Sequence, residues 1–180
     1  MFSVLFEHDR PFLKNIPDNL VEWTKCRIFA HKYDVMTLEI KDGELKGAFT
    51  GLSFIVRGGE LRVLSGRSQG GCTELLLAVM GVVALDGGYI SVDGEVVGER
   101  SAAYMRRLMG YVPRELHLPD GSEKSLTPSE LHTKLLNDVA AARKAIVLVD
   151  GICDEDQLSV CRKMAADGAA VLVVNDREDE

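Results

Sequence analysis

In the segment LRVLSGRSQGGCTELLL, Gly66 and Gly71 bracket Arg67, Ser68, Gln69 and Gly70, and Cys72 and Thr73 follow. The frame Gly66-x-x-x-x-Gly71-Cys72-Thr73 comes after a strand signal, LRVLS (61–65), and opens an apolar, helix-like run. A glycine-rich turn in that context aims backbone N–H groups and a helix N-terminus at an anion, an arrangement suited to phosphate. One position departs from the full phosphate-loop motif. Cys72 stands where a lysine ammonium would meet the β and γ phosphates, while the hydroxyl that would ligate magnesium is kept as Thr73.

The other reactive side chains offer less. Cys72 at a helix start has two readings: a thiol of lowered pKa, or an apolar residue filling the lysine's place. Cys26, Cys72, Cys153 and Cys161 fit neither a zinc spacing nor a disulfide framework, so they read as reduced thiols. Cys153 and Cys161, eight apart, read as small core or surface residues. His8, His31, His117 and His132 are scattered without metal-site pairing. Asp154, Glu155 and Asp156 read as the acidic start of a helix, and DREDE (176–180) as a solvated end.

The chain of 180 residues has the length of about one domain. Its 46% hydrophobic and 27% charged residues are a globular mix, too apolar for global disorder. A net charge of −7 argues against a nucleic-acid partner. The longest apolar run, Leu75–Leu85, falls short of the roughly 20 residues of a membrane span. MFSVLFEHDR lacks the basic start and small-residue cleavage site of a secretory signal.

Two blocks of structure must position the loop. Residues 1–30, with Phe2, Phe6, Phe12, Trp23 and Phe29, read as an N-terminal extension that docks on the domain or on a partner; residues 31–180 form the domain. Strands are expected at MTLEI (36–40), LSFIV (52–56) and LRVLS (61–65), and a helix over Thr73–Leu85. YISV and EVV flank Asp93-Gly94, a hairpin signal. Thr127-Pro128-Ser129-Glu130 is a capping box opening a helix to about Lys144. AIVLV (145–149) and AAVLVV (169–174) are continuous apolar runs, as in strands buried on both faces, with a helix capped at Asp154 between them. The alternation predicts an α/β fold with a mainly parallel sheet and an antiparallel β layer from residues 36–65 and 89–97.

Taken in order, GLSFIVRGGELRVLSG (51–66), the loop to Thr73, DGGYISVDGEVV (86–97), MRRLMGYVPRE (105–115), AIVLVDG (145–151) and GAAVLVVND (168–176) resemble the nucleotide-binding domain of ABC transporters, a P-loop NTPase-like fold. The resemblance covers roughly residues 36–176. It implies that Asp150 is the aspartate that, with Thr73, would place magnesium. It makes Gly66, Arg67, Ser68, Gln69, Gly70, Gly71, Cys72, Thr73 and Asp150 a degenerate ATP or ADP site. It also marks the departures. The glutamine after YVP is Arg114, the catalytic glutamate after Asp150 is Gly151, and the switch histidine is Asp176, or Asn175 if the register slips by one. The signature loop is absent. Only 35 residues lie between Arg114 and Asp150, so the family's helical subdomain is largely missing.

Each missing electrostatic group would cost about 10²-fold in hydrolysis or more, non-additively. The resemblance therefore implies a catalytically inactive ABC-ATPase-like subunit of a multiprotein complex, with no catalytic residues and no required cofactor. Its partners would be an ATPase subunit, a membrane subunit or a second copy. It would be cytoplasmic, at the membrane only through a partner. Two alternatives stay open: a non-hydrolysing nucleotide sensor, in which Arg67 supplies the missing charge rather than being an exposed loop arginine, and an active ATP-binding subunit. Arg106, Arg107 and Arg114 form a basic cluster that reads as an anion or partner contact, or as a solvated face.

Overall fold

The computed structural model describes residues 36–66, 71–115, 127–151 and 154–175. The expected extension at 1–30, Arg67 to Gly70, His117, Cys153 and Asp176 lie outside them.

An antiparallel sheet is built first. β1 (Thr37–Leu45) lies between β2 (Phe49–Arg57) and β4 (Gly87–Val92), and β5 (Glu95–Val96) pairs with β4 at the edge. Period-two alternation turns Leu38, Ile40, Phe54, Val56, Ile90 and Val92 to one buried face. The β4–β5 hairpin turns at Asp93 and Gly94, with φ of 50° and 78°, as a two-residue primed turn requires. The Asp93 carboxylate also accepts the Thr37 N–H at 2.7 Å, pinning the start of β1.

The second sheet is fully parallel, in the order β3 (Leu61–Ser65), β8 (Ala170–Asn175), β7 (Ile146–Asp150), β6 (Met109–Val112). Its two faces sort by residue parity. Ile146, Leu148, Leu172 and Val174 join α1 (Cys72–Val79) and the inner face of the antiparallel sheet in one core. Val147, Val149, Val171 and Val173 join a second core with Leu136 of α3 (Pro128–Ala141) and Cys161 and Met164 of α4 (Glu155–Ala166). Coverage of both faces is why these strands read as unbroken apolar runs. The same parity places Asp150 on the α1 side of β7.

The α/β class, the parallel sheet and the antiparallel layer stand as expected from the sequence; several details differ. β3 does not belong to the antiparallel layer: it pairs in parallel with β8, Leu61 opposite Val171 through Ser65 opposite Asn175. The first helix stops at Val79 rather than Leu85, because Gly81 takes φ 65° and its N–H and that of Val82 return to Ala78 and Leu77. α3 ends at Ala141, short of Lys144, as Arg143 turns left-handed at φ 48°. α2 (Ala102–Leu108) runs straight into β6 with no turn residue between them, so no local signal marked either. Between β6 and β7 the described residues hold one helix, α3.

The capping chemistry is as expected. Thr127 Oγ1 accepts the Glu130 N–H at 3.3 Å while Glu130 Oε2 accepts the Thr127 N–H at 2.7 Å. Asp154 Oδ1 accepts the Gln157 N–H at 2.8 Å at the start of α4. Of the three arginines expected to form a basic cluster, the side chains of Arg106 and Arg114 turn to different partners. Arg106 donates to the Met80 carbonyl at the end of α1, the Arg107 carbonyl accepts from Lys144, and Arg114 turns to Asp150.

Candidate functional site

In a parallel sheet all strands end at the same edge, and ligands are held beyond those carboxyl ends. β3 ends at Ser65, and the Gly66 N–H continues the ladder to the Asn175 carbonyl at 3.0 Å. β7 ends at Asp150. β6 ends at Val112, in register with Val149, so Arg114 emerges two residues later beside Asp150. The start of α1, the end of β7 and the exit of β6 therefore converge.

α1 begins where Gly71 takes φ 110° and presses on the Ala48 carbonyl of the β1–β2 turn. A Cβ there would sit 2.7 Å from that oxygen, so only glycine fits. Thr73, in the first turn, donates its hydroxyl proton to Asp150 Oδ2 at 2.6 Å. The two expected magnesium residues are thus brought together. Arg114 Nη2 donates to the other carboxylate oxygen, Oδ1, at 3.0 Å. Asp150 is 1% exposed and the Arg114 side chain 36%, so the carboxylate is buried and its guanidinium partner reaches in from the rim.

Four neighbours define the rest of the site. Cys72 is half-buried, with Sγ 3.1 Å from where a Cβ on Gly66 would sit. Glu74 folds back so that Oε2 accepts the Gly71 N–H at 2.7 Å. A carboxylate thereby takes an amide at the helix start that a phosphate would use. Gly151 follows Asp150 at φ 83°, and a Cβ there would lie 3.5 Å from Arg114 Nε. Tyr111, on β6, has its pKa raised by burial first and by the charge of Asp150 second, with Arg114 opposing, so its phenol stays protonated.

As arranged, the described residues do not fit a magnesium ion on Asp150. Both oxygens of Asp150 are engaged, one by a cation, and the Gly71 amide is occupied. Position 72 brings a thiol rather than an ammonium. Among the described residues no group of three or more His, Cys, Asp or Glu could hold a metal ion. Arg67, Ser68, Gln69 and Gly70 lie outside the described residues. A cleft of about 520 Å³ lined by Asn137, Lys144, Lys163 and Gly168 lies at the amino ends of β7 and β8, away from this edge.

The sequence reading did not single out Glu74 or the partner of Arg114. Glu74 had a legible signal: an acidic residue three positions after the helix cap. Arg114 had none locally, since its contact depends on the β6–β7 register.

The family profile described as ABC transporter matches residues 49–169. Among curated proteins, the ribose import ATP-binding protein RbsA of Bacillus licheniformis is 43% identical over 60 residues, 33% of this chain and 12% of that protein. The nucleoside import ATP-binding protein NupA of Lactococcus lactis subsp. cremoris is 32% identical over 101 residues, 53% of this chain and 20% of that protein. The chain thus spans a fifth or less of these relatives. A solved structure of an ATP binding subunit of an ABC transporter aligns with a TM-score of 0.62 at 16% identity, covering 77% of this chain and 79% of its own. Structure of cbiO1 from Clostridium perfringens, described as part of the ABC transporter complex cbiONQ, gives 0.61 at 12% identity over 81% of this chain and 80% of its own. At such identities the likeness is one of fold.

Proposed function

This chain belongs to the ABC transporter family, and we propose that it is a non-hydrolysing ATP-binding-type subunit that acts through protein contacts in a larger assembly. The observation that carries the reading is the state of Asp150: one oxygen is bound by Thr73 and the other by Arg114. Around it, Cys72 brings no fixed cation and Gly151 no carboxylate to orient a water. Phosphoryl transfer depends on positioning and charge neutralisation, and the absence of the loop lysine and of the glutamate after Asp150 supports a chain that does not carry it out.

The core of the family's fold is nonetheless retained, with both sheets and α1 in place. Partners of the kind that ABC ATPases have, a catalytic ATPase subunit or a membrane subunit, suit that retained scaffold. The described cbiO1 relative, part of a transporter complex, supports the class of partner. Among the described residues no helix is long and apolar enough to cross a membrane, and contact with a membrane would run through such a partner.

The test is phosphate release from ATP by the full chain, alone and with its co-purifying partners. No release above that of an Asp150→Asn variant is expected. Turnover that Asp150→Asn abolishes would overturn the reading.

A further inference from the structure

We propose that Arg114 permanently takes the place of a divalent cation on Asp150, so that the site is closed to metal by the chain's own side chains. This deepens the non-hydrolysing reading and rests on it, but the two can fail separately.

The geometry is specific. Asp150 is a buried carboxylate at the end of a fully buried strand, where an isolated charge is costly and must be paired. In this chain the positive charge is covalently supplied: Arg114 Nη2 at 3.0 Å from Oδ1. Magnesium needs oxygen ligands at about 2.0–2.1 Å in near-octahedral geometry. A guanidinium on the same carboxylate fills that volume and repels a second cation. Arginine cannot be deprotonated to make way.

The surroundings accommodate the arginine rather than a metal. Gly151 lies alongside the Arg114 stem: a Cβ at that position would be in ordinary contact with it, 3.5 Å from Nε and 3.6 Å from Cγ. On the other side of the site, the Glu74 carboxylate holds the Gly71 amide at 2.7 Å. Glu74 thus stands in for the anion and Arg114 for the cation of a metal-phosphate pair. The three elements that such a ligand would draw together are already tied: α1 through Thr73, β7 through Asp150, and the exit of β6 through Arg114.

The test is Mn²⁺ binding to the full chain, followed by the loss of the free-ion electron paramagnetic resonance signal, with and without ATP. The wild-type chain is expected to show the same Mn²⁺ uptake as Asp150→Asn, because Asp150 takes no metal. Arg114→Gln is expected to gain one Mn²⁺ that Asp150→Asn in the same background removes. Uptake by the wild type that Asp150→Asn abolishes overturns the proposal. So does a folded Arg114→Gln chain, judged by circular dichroism, that gains no Mn²⁺. The wild-type comparison stands even if Arg114→Gln does not fold. ATP turnover is a separate readout: a chain can hydrolyse nothing and still bind Mn²⁺, which would sink this inference and leave the functional reading intact.

Discussion

Thr73 and Asp150, 77 positions apart in the chain, are joined by a hydrogen bond of 2.6 Å that ties the first turn of α1 to the last residue of β7. The bond crosses from the helix sandwiched between the two sheets to the central parallel sheet. Its acceptor is a buried carboxylate, so it is stronger than a neutral bond and costly to leave unmade. Thr73→Val keeps the shape and removes the donor. The expected loss is about 2 kcal/mol in urea denaturation, with Thr73→Ser close to wild type.

Arg114→Ala leaves Asp150 buried beside a single neutral donor. Removing one partner of a buried pair is expected to cost on the order of 3 kcal/mol. Adding Asp150→Asn to that background should recover part of the loss, because the uncompensated charge is gone. Denaturation midpoints of the four chains of this cycle measure the coupling; strictly additive losses would show that the two residues do not act as a pair.

Restoring a glutamate after Asp150 is not expected to restore hydrolysis. Gly151 sits at φ 83°, and a side-chain-bearing residue there is strained by roughly 1 kcal/mol. Gly151→Glu should therefore lower the melting temperature and leave phosphate release at background.

His132 on α3 is 4% exposed, and neither ring nitrogen has a hydrogen-bond partner. A buried polar group in that state carries a desolvation cost with no return. His132→Leu is expected to stabilise the chain by about 1 kcal/mol in chemical denaturation.

The Cys161 thiol is buried on α4, and burial pushes its pKa up to about 11 from 9.0. The unfolded chain releases that proton first, so the folded state is disfavoured as pH rises from about 9 through about 11, and the contribution is fully present below 9. A denaturation series across this range should show a fall in stability that is smaller in Cys161→Ala. Alkylation of Cys161 near neutral pH should require unfolding.

Much of the architecture was legible because it rests on local chemistry. The apolar runs at 145–149 and 169–174, the Thr127 and Asp154 caps and the Asp93-Gly94 turn each carry their cause within a few residues. The pairing of β3 with β8 was not legible: LRVLS has the same composition whether it joins an antiparallel or a parallel neighbour. At the site, the frame around Gly71 and Thr73 could be read from spacing. The Arg114–Asp150 contact could not, because it depends on Val112 meeting Val149 across two strands. The short α2–β6 junction lacked any punctuating residue.

The buried ion pair also constrains how this chain can change by descent. A substitution at position 114 alone strands a charge in the interior, and one at position 150 alone removes the carboxylate with which Arg114 pairs. Each single step passes through a less stable intermediate, which favours joint over separate change at the two positions. Divergent copies of the chain are expected to keep both residues or to exchange both together, and an aspartate at 150 beside a neutral residue at 114 would mark a lineage in which a separate cation has taken back its place.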